Sequence, residues 1–151
     1  YLELFELMKS HLPAYQLEAM KLFKILIFNY LFSNGDAHLK NFSLLETPMG
    51  DFILSPAYDL LNSQIHVEDS DFALEEGLLP KPISQGKISQ QFKLLAEKAG
   101  IKQKISEDIL KFMLSQSDLV GSFVNASFLD QKTKRSYLQL YQGKLNRLSK
   151  V

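Results

Sequence analysis

A polar run at residues 34–41 directly follows a strongly apolar segment of the chain. Within it Asp36 precedes Asn41 by five positions, and a second carboxylate, Asp59, follows Asn41 by eighteen. Two short apolar runs flank a turn with Pro and Gly between them, so a β-hairpin would return Asp59 to the neighbourhood of Asn41. The sequence therefore predicts that three oxygen-bearing side chains converge.

These residue types suit phosphoryl transfer, which needs a carboxylate near the incoming hydroxyl and hard oxygen ligands for Mg²⁺. In protein kinases a catalytic Asp lies five positions ahead of a metal-binding Asn, and a second metal-binding Asp follows a short hairpin. Asp36, Asn41 and Asp59 occur in that order. His38 follows the first Asp, as in phosphoinositide-kinase-like loops of the form Asp-Arg-His-x-x-Asn, although Ala37 replaces the Arg.

The run Asn34-Gly35-Asp36-Ala37-His38-Leu39-Lys40-Asn41-Phe42-Ser43, with Pro56-Ala57-Tyr58-Asp59-Leu60, resembles the HipA family of bacterial toxin Ser/Thr kinases. The similarity is strongest over residues 27–61. The resemblance implies a mainly α fold with a small β-hairpin, corresponding to the helical C-terminal lobe of a protein-kinase-like, HipA-type fold.

The same resemblance implies roles for five residues. Asp36 would be the catalytic base, and Asn41 and Asp59 would bind Mg²⁺ and, with it, ATP. His38 and Lys40 would support the catalytic loop or the phosphates. We therefore expect an ATP- and Mg²⁺-dependent Ser/Thr protein kinase.

The family also implies a biological setting, the toxin of a type II toxin–antitoxin system. The expected partners are an antitoxin of the helix-turn-helix type and a protein substrate, with a translation component such as glutamyl-tRNA synthetase as a candidate. Nucleic acid would be contacted only indirectly, through the antitoxin.

Nothing in residues 1–151 resembles a kinase N-terminal lobe, since there is neither a glycine-rich loop nor a Val-Ala-Ile-Lys strand. We therefore interpret the chain as one domain, a C-terminal lobe without its N-terminal partner, and expect it to be inactive alone. Because the chain starts at Tyr1 rather than at Met, we expect it to be a piece of something longer.

Two other functions stay open. The chain could be a non-catalytic interaction module that binds an antitoxin or completes a split kinase; the missing N-terminal lobe favours this and the retained Asp36 opposes it. A small-molecule kinase is the third hypothesis, because the inverted loop also occurs in enzymes that act on lipid or other non-protein hydroxyls.

Composition limits the alternatives. The 151 residues are 46% hydrophobic with 17 basic and 17 acidic side chains, which is typical of one globular domain and argues against a general nucleic-acid binder. The absence of cysteine excludes disulfides, thiolate zinc sites and Cys nucleophiles. His11 and His66 lack the spacing of a zinc site. Because there is no leader and the apolar residues 22–32 are too short for a membrane span, we expect a cytoplasmic protein.

The elements that must position these residues are mainly helices. Residues 16–32, apolar on several faces, predict a buried central helix after a short helix at residues 1–9. We place Leu7, Leu17 and Phe123 on inward faces. After the central helix we predict a hairpin at 42–45 and 52–54 and an irregular segment at 62–87. Two helices follow: one is capped by Ser89 and ends at Gly100, and the other runs from Ser106 through Val124 and is weakened at Gly121. The last helix carries the apolar stripe Leu138, Tyr141, Leu145 and Leu148.

Two charged segments are interpreted as solvent-exposed. The acidic residues Glu68, Asp69, Asp71, Glu75 and Glu76 lack the ligand pattern of an EF-hand, so they predict a solvated loop that contacts a substrate or antitoxin at most. The basic residues Lys132, Lys134 and Arg135 predict a solvated helix face.

Overall fold

The computed structural model describes residues 1–67 and 70–150, and in that part the chain is mainly helical with one antiparallel hairpin. In chain order the elements are α1 (Leu2–His11), α2 (Tyr15–Leu31), β1 (Leu44–Glu46), β2 (Phe52–Leu54), α3 (Ile88–Lys98), α4 (Gln103–Leu114), α5 (Ser117–Ala126) and α6 (Gln131–Ser149), with short 3₁₀ turns at Leu39–Asn41 and Ser63–Ile65.

Helix α2 forms the centre of the core, as its apolar character predicts. Leu22, Phe23, Leu26 and Ile27 are at most 2% exposed, and the helix packs against α1, α4, α6 and β2. Burial of each such side chain contributes about 1.5–3 kcal/mol to folding. Among the residues described, no helix is both long and apolar enough to cross a bilayer.

The irregular segment between the hairpin and α3 is anchored by two neighbouring residues. Phe72 stacks on Tyr30 of α2, with ring centroids 5.6 Å apart, and meets the Tyr1 ring edge-on at 6.2 Å. The Asp71 carboxylate lies 3.1 Å from Lys144 and from Arg147, both on α6. The predicted acidic loop is therefore tied to the core at Asp71, whereas the expectation for Glu68 and Asp69 lies outside the described residues.

Two predicted helix starts are wrong. Helix α3 begins after Lys87 rather than Ser89, and α4 begins at Gln103 rather than after Ser106. Each serine lies inside its helix, with its hydroxyl donated to a backbone carbonyl: Ser89 to Lys150 at 2.5 Å, and Ser106 to Gln103 at 2.8 Å. Because each serine lies inside its helix, neither occupies the N-cap position from which a side-chain oxygen accepts from the first free N–H groups.

The predicted single helix from Ser106 through Val124 is two helices, α4 and α5. The break falls at Ser115 and Gln116 rather than at Gly121, which lies within α5. The Ser115 hydroxyl and the Gln116 amide both donate to the Phe112 carbonyl, at 2.9 and 3.0 Å. Side-chain donors thus compete with the helical ladder at that carbonyl, and they favour the turn.

Some predicted orientations are also wrong. Leu7, Leu17 and Phe123 are 50%, 52% and 67% exposed. On α1 the buried face is set by Phe5 and Met8, three positions apart, so Leu7 turns away from it.

The basic face of α6 is not wholly solvated. Lys134 is buried and donates to the Asn125 carbonyl at 2.8 Å, and Lys144 is only 1% exposed. The aliphatic stems of both side chains contribute to the core while their ammonium groups keep polar contacts.

Candidate functional site

The candidate catalytic loop begins where α2 ends. Ser33 adopts a left-handed backbone conformation, with φ 58°, that turns the chain out of the helix. Asn34 follows and is buried; its Nδ2 donates to Asn29 Oδ1 at 3.2 Å and to the Asp59 carbonyl at 3.1 Å. Asn34 therefore ties the end of the central helix to the segment that carries the second candidate aspartate.

Ser63 holds the same loop from the other side. Its Oγ accepts from the Gly35 N–H at 2.9 Å and donates to the Ser33 carbonyl at 3.1 Å, and its own N–H donates to that carbonyl at 3.0 Å. Sequence reasoning missed Ser63, because a lone serine in a polar segment, 28 positions from its partner, gives no pattern.

Asp36 stands at the exposed tip of this loop. Its side chain is 63% exposed, and Oδ1 lies 4.0 Å from His38 Nε2. The His38 Nδ1 atom is buried and has no hydrogen-bond partner in residues 1–67 and 70–150. The intervening Ala37 is buried, and its carbonyl accepts from the Tyr1 hydroxyl at 2.8 Å. The small residue that replaces Arg in this loop thus packs into the core and leaves Asp36 accessible.

Asn41 and Asp59 meet as the hairpin geometry predicts. Asn41 Nδ2 donates to Asp59 Oδ2 at 2.5 Å, and the Tyr58 hydroxyl donates to the Lys40 carbonyl at 2.9 Å. Asp59 itself adopts a left-handed conformation, with φ 54°. Two side-chain hydrogen bonds therefore join the 3₁₀ turn at Leu39–Asn41 to the segment after β2.

The hairpin that brings these residues together is fixed to α2. Its strands pair antiparallel, with Leu44 opposite Leu54, and Ser55 N–H extends the ladder to the Ser43 carbonyl at 2.8 Å. The Leu54 N–H donates to Glu18 Oε2 at 3.0 Å, where the Glu18 carboxylate is buried on α2. Sequence reasoning missed Glu18, since a single carboxylate in a helix ordinarily indicates an exposed face.

The Lys40 side chain is exposed and forms no ion pair with the carboxylates in the described part of the chain. Only its backbone carbonyl takes part in the site, as the acceptor for Tyr58. The structure thus brings Asn41 and Asp59 into contact and sets His38 beside Asp36, while the Lys40 ammonium stands apart.

The donors at this site fit a Mg²⁺ ion. Asn41 Oδ1 is buried and lacks a hydrogen-bond partner among the described residues, so one amide oxygen remains available beside the exposed Asp59 carboxylate. Mg²⁺ is usually held by one or two carboxylates together with phosphate oxygens and waters. No cluster of three or more His, Cys, Asp or Glu suited to a metal occurs in the described ranges. The amide oxygen of Asn41 would therefore have to act as a metal ligand beside the Asp59 carboxylate.

The space beside these residues is small. A pocket of about 10 Å³ lies against Asn34, Asn41 and Tyr58. This volume suits about one water molecule. The pocket is therefore too small to enclose a ligand of the size of a nucleotide.

Comparisons with known proteins indicate the family of the chain. A family model described as HipA-like C-terminal domain matches residues 1–119, from α1 into α5. A segment of 48 residues is 48% identical to a Sinorhizobium fredii protein named "Putative kinase Y4dM". The segment covers 32% of this chain and 12% of that protein, so the match spans only a small part of the relative.

Proposed function

The chain belongs to the HipA-like C-terminal domain family, and on that premise we propose that it is the C-terminal catalytic lobe of a Ser/Thr protein kinase. The observation that carries the proposal is the contact of Asn41 Nδ2 with Asp59 Oδ2, at 2.5 Å, on a loop whose tip exposes Asp36. The kinase-like fold of this lobe is part of the same proposal.

Asp36 acts on the substrate hydroxyl in this account. Its carboxylate accepts the hydroxyl proton as the oxygen forms a bond to the γ-phosphorus of ATP. The bond from that phosphorus to the bridging oxygen breaks, and ADP leaves with the electron pair. The exposure of Asp36 supports this role, because a protein hydroxyl must reach the carboxylate from outside.

Asn41 Oδ1 and the Asp59 carboxylate would hold Mg²⁺ in this account, which would place its charge beside the phosphates of ATP. The ion, when bound, neutralises charge on the phosphate oxygens. Asn41 can serve as a ligand through Oδ1 while Nδ2 keeps Asp59 in place, because the two atoms are separate ends of one amide.

His38 and Lys40 have supporting roles. His38 lies near enough to Asp36 to limit where that carboxylate points. Lys40 supplies a positive charge on the 3₁₀ turn at Leu39–Asn41, where it would attract phosphate.

The lobe works with a second lobe in this proposal. The small pocket beside Asn41 supports this, since it provides a floor for the phosphates but no enclosure for a nucleotide. By family, we further propose a cytoplasmic toxin of a type II toxin–antitoxin system. It would have a helix-turn-helix antitoxin as partner, a translation component such as glutamyl-tRNA synthetase as candidate substrate, and nucleic acid contacted only through the antitoxin.

The same small pocket favours one alternative, a non-catalytic module that binds an antitoxin or completes a split kinase. A small-molecule kinase is the other alternative. The three functions differ in whether phosphate is transferred and in whether the acceptor is a protein.

The test is transfer of labelled γ-phosphate to protein by the lobe combined with a kinase N-terminal lobe. Asp36→Asn should reduce transfer at least 100-fold without changing the melting temperature, since the side chain is exposed and general bases contribute roughly 10²–10⁴. Asp108→Asn, at an exposed site on α4, is the matched control.

Transfer that persists in Asp36→Asn would overturn the base assignment. ATP binding without transfer by the wild type would identify the interaction module. Transfer only to small acceptors would identify the third alternative.

A further inference from the structure

A second cavity, of about 460 Å³, shares none of its described lining residues with the pocket beside Asn41. It lies between the first turn of α3, the last residues of α6 and the anchored segment around Asp71. Its volume falls in the range of about 300–1,000 Å³ that is usual for small-molecule sites.

The charged side chains that line this cavity are mostly basic: Lys87, Arg147 and Lys150, with Asp71 as the one carboxylate among the described residues. The Asp71 charge is divided between two cations, with Oδ2 at 3.1 Å from Arg147 and Oδ1 at 3.1 Å from Lys144. Lys144 does not line the cavity, and its burial requires that its charge be balanced by Asp71. The positive charge on the wall therefore exceeds the negative charge.

Backbone donors at the start of α3 reinforce this charge, beside a buried phenol. The eleven-residue helix α3 begins at Ile88, which lines the cavity. The N–H groups of Gln90 and Gln91 already donate to the Lys87 carbonyl, at 3.0 and 3.1 Å, so the N–H groups of Ile88 and Ser89 are the ones at this end that lack a partner within the helix. The positive end of the helix dipole favours anions there. Tyr30 forms part of the wall, and its hydroxyl is buried without a hydrogen-bond partner in the described part of the chain.

We propose that this cavity binds a small phosphate-bearing anion between the first turn of α3 and the basic end of α6. Arg147 and Lys150 contribute charge, and the N–H groups of Ile88 and Ser89 contribute directed donors. This site is independent of the proposed kinase function, because it uses no residue of the catalytic loop. Its ligand would connect α3 and α6 with the segment at Asp71.

The test is an amide-detected NMR titration of the chain with inorganic phosphate, in metal-free buffer at constant ionic strength. We expect saturable shifts at Ile88, Ser89 and Lys150, and none at residues 36–41. Lys150→Gln and Arg147→Gln should each weaken binding at least fivefold. Lys93→Gln, an exposed cation on the same helix α3, is the matched control and should bind as the wild type does.

A parallel titration with O-phosphoserine separates the sources of the phosphate group. Tighter binding than with inorganic phosphate would support a phosphate monoester that fills the cavity, and equal binding would support recognition of the phosphate group alone. The proposal is wrong if shifts do not saturate, if they centre on residues 36–41, or if Lys150→Gln binds like the wild type. Arg147→Gln also removes an ion-pair partner of Asp71, so its effect on binding has two causes. Lys150→Gln keeps the test decisive, because the Lys150 backbone carbonyl that accepts from the Ser89 hydroxyl is retained in this variant.

Discussion

Asp59 holds a left-handed backbone conformation, with φ 54°, that costs an L residue about 1–2 kcal/mol. Two hydrogen bonds keep it there: its carbonyl accepts from Asn34 at 3.1 Å, and its carboxylate accepts from Asn41 at 2.5 Å. Strain of this kind persists where the surrounding structure fixes it, and it is frequent at functional sites. At the residue scale the candidate metal site is therefore held before any ligand arrives.

Tyr58 provides a test of that positioning. Tyr58→Phe removes the hydrogen bond to the Lys40 carbonyl and loosens Asp59 relative to Asn41, so affinity for Mg²⁺ with ATP should fall about two- to twelvefold, as expected for loss of about 0.5–1.5 kcal/mol. The measurement is a calorimetric titration of the chain combined with a kinase N-terminal lobe, which is the arrangement proposed above.

Tyr15→Phe is the matched control for this change. It removes a similar bond, from Tyr15 to the Ala99 carbonyl at 2.7 Å, away from the site. It should lower stability and leave metal affinity unchanged. Equal affinity of Tyr58→Phe and wild type would show that Tyr58 does not position the site.

At the scale of elements, the sequence predicted α2, the hairpin and the return of Asp59 to Asn41 because these depend on local periodicity and on turn geometry. It did not predict the break between α4 and α5, where two side chains compete for one carbonyl. It also could not predict Ser63 or Glu18, whose partners are distant in sequence. Long-range hydrogen bonds leave no periodic pattern.

Two glycines test one helix end that the sequence predicted and one helix interior that it predicted to be weakened. Gly100 ends α3 with φ 70°, so Gly100→Ala should lower the free energy of unfolding by about 1–2 kcal/mol. Gly121 lies inside α5 with open space where a Cβ would stand, so Gly121→Ala should raise it by about 0.5–1 kcal/mol. Urea unfolding measures both. A loss of stability in Gly121→Ala would mean that α5 is not helical there.

At the scale of the whole molecule, buried tyrosine side chains make the free energy of unfolding decrease as the pH becomes alkaline. Burial raises the pKa of Tyr1 and the pKa of Tyr30 to about 12, whereas an unfolded tyrosine titrates near 10. The unfolded chain loses these protons first as pH rises, so their contribution to stability is complete below about pH 10 and is lost between about 10 and 12.

This dependence can be measured with Tyr30→Phe. Its free energy of unfolding, from urea titrations at pH 9 and pH 11, should fall less than that of the wild type, because one shifted phenol is gone. An equal fall in both proteins would contradict the burial of Tyr30.

Whether Asn41 and Asp59 form one metal site can be measured by paramagnetic NMR. Substoichiometric Mn²⁺ with ATP is added to the isotopically labelled chain, and broadening of each amide signal is recorded. We expect the strongest broadening at Asn41 and Asp59, and its loss in Asp59→Asn but not in Asp108→Asn. Broadening that is strongest elsewhere, or that survives in Asp59→Asn, would show that these two residues do not share a metal.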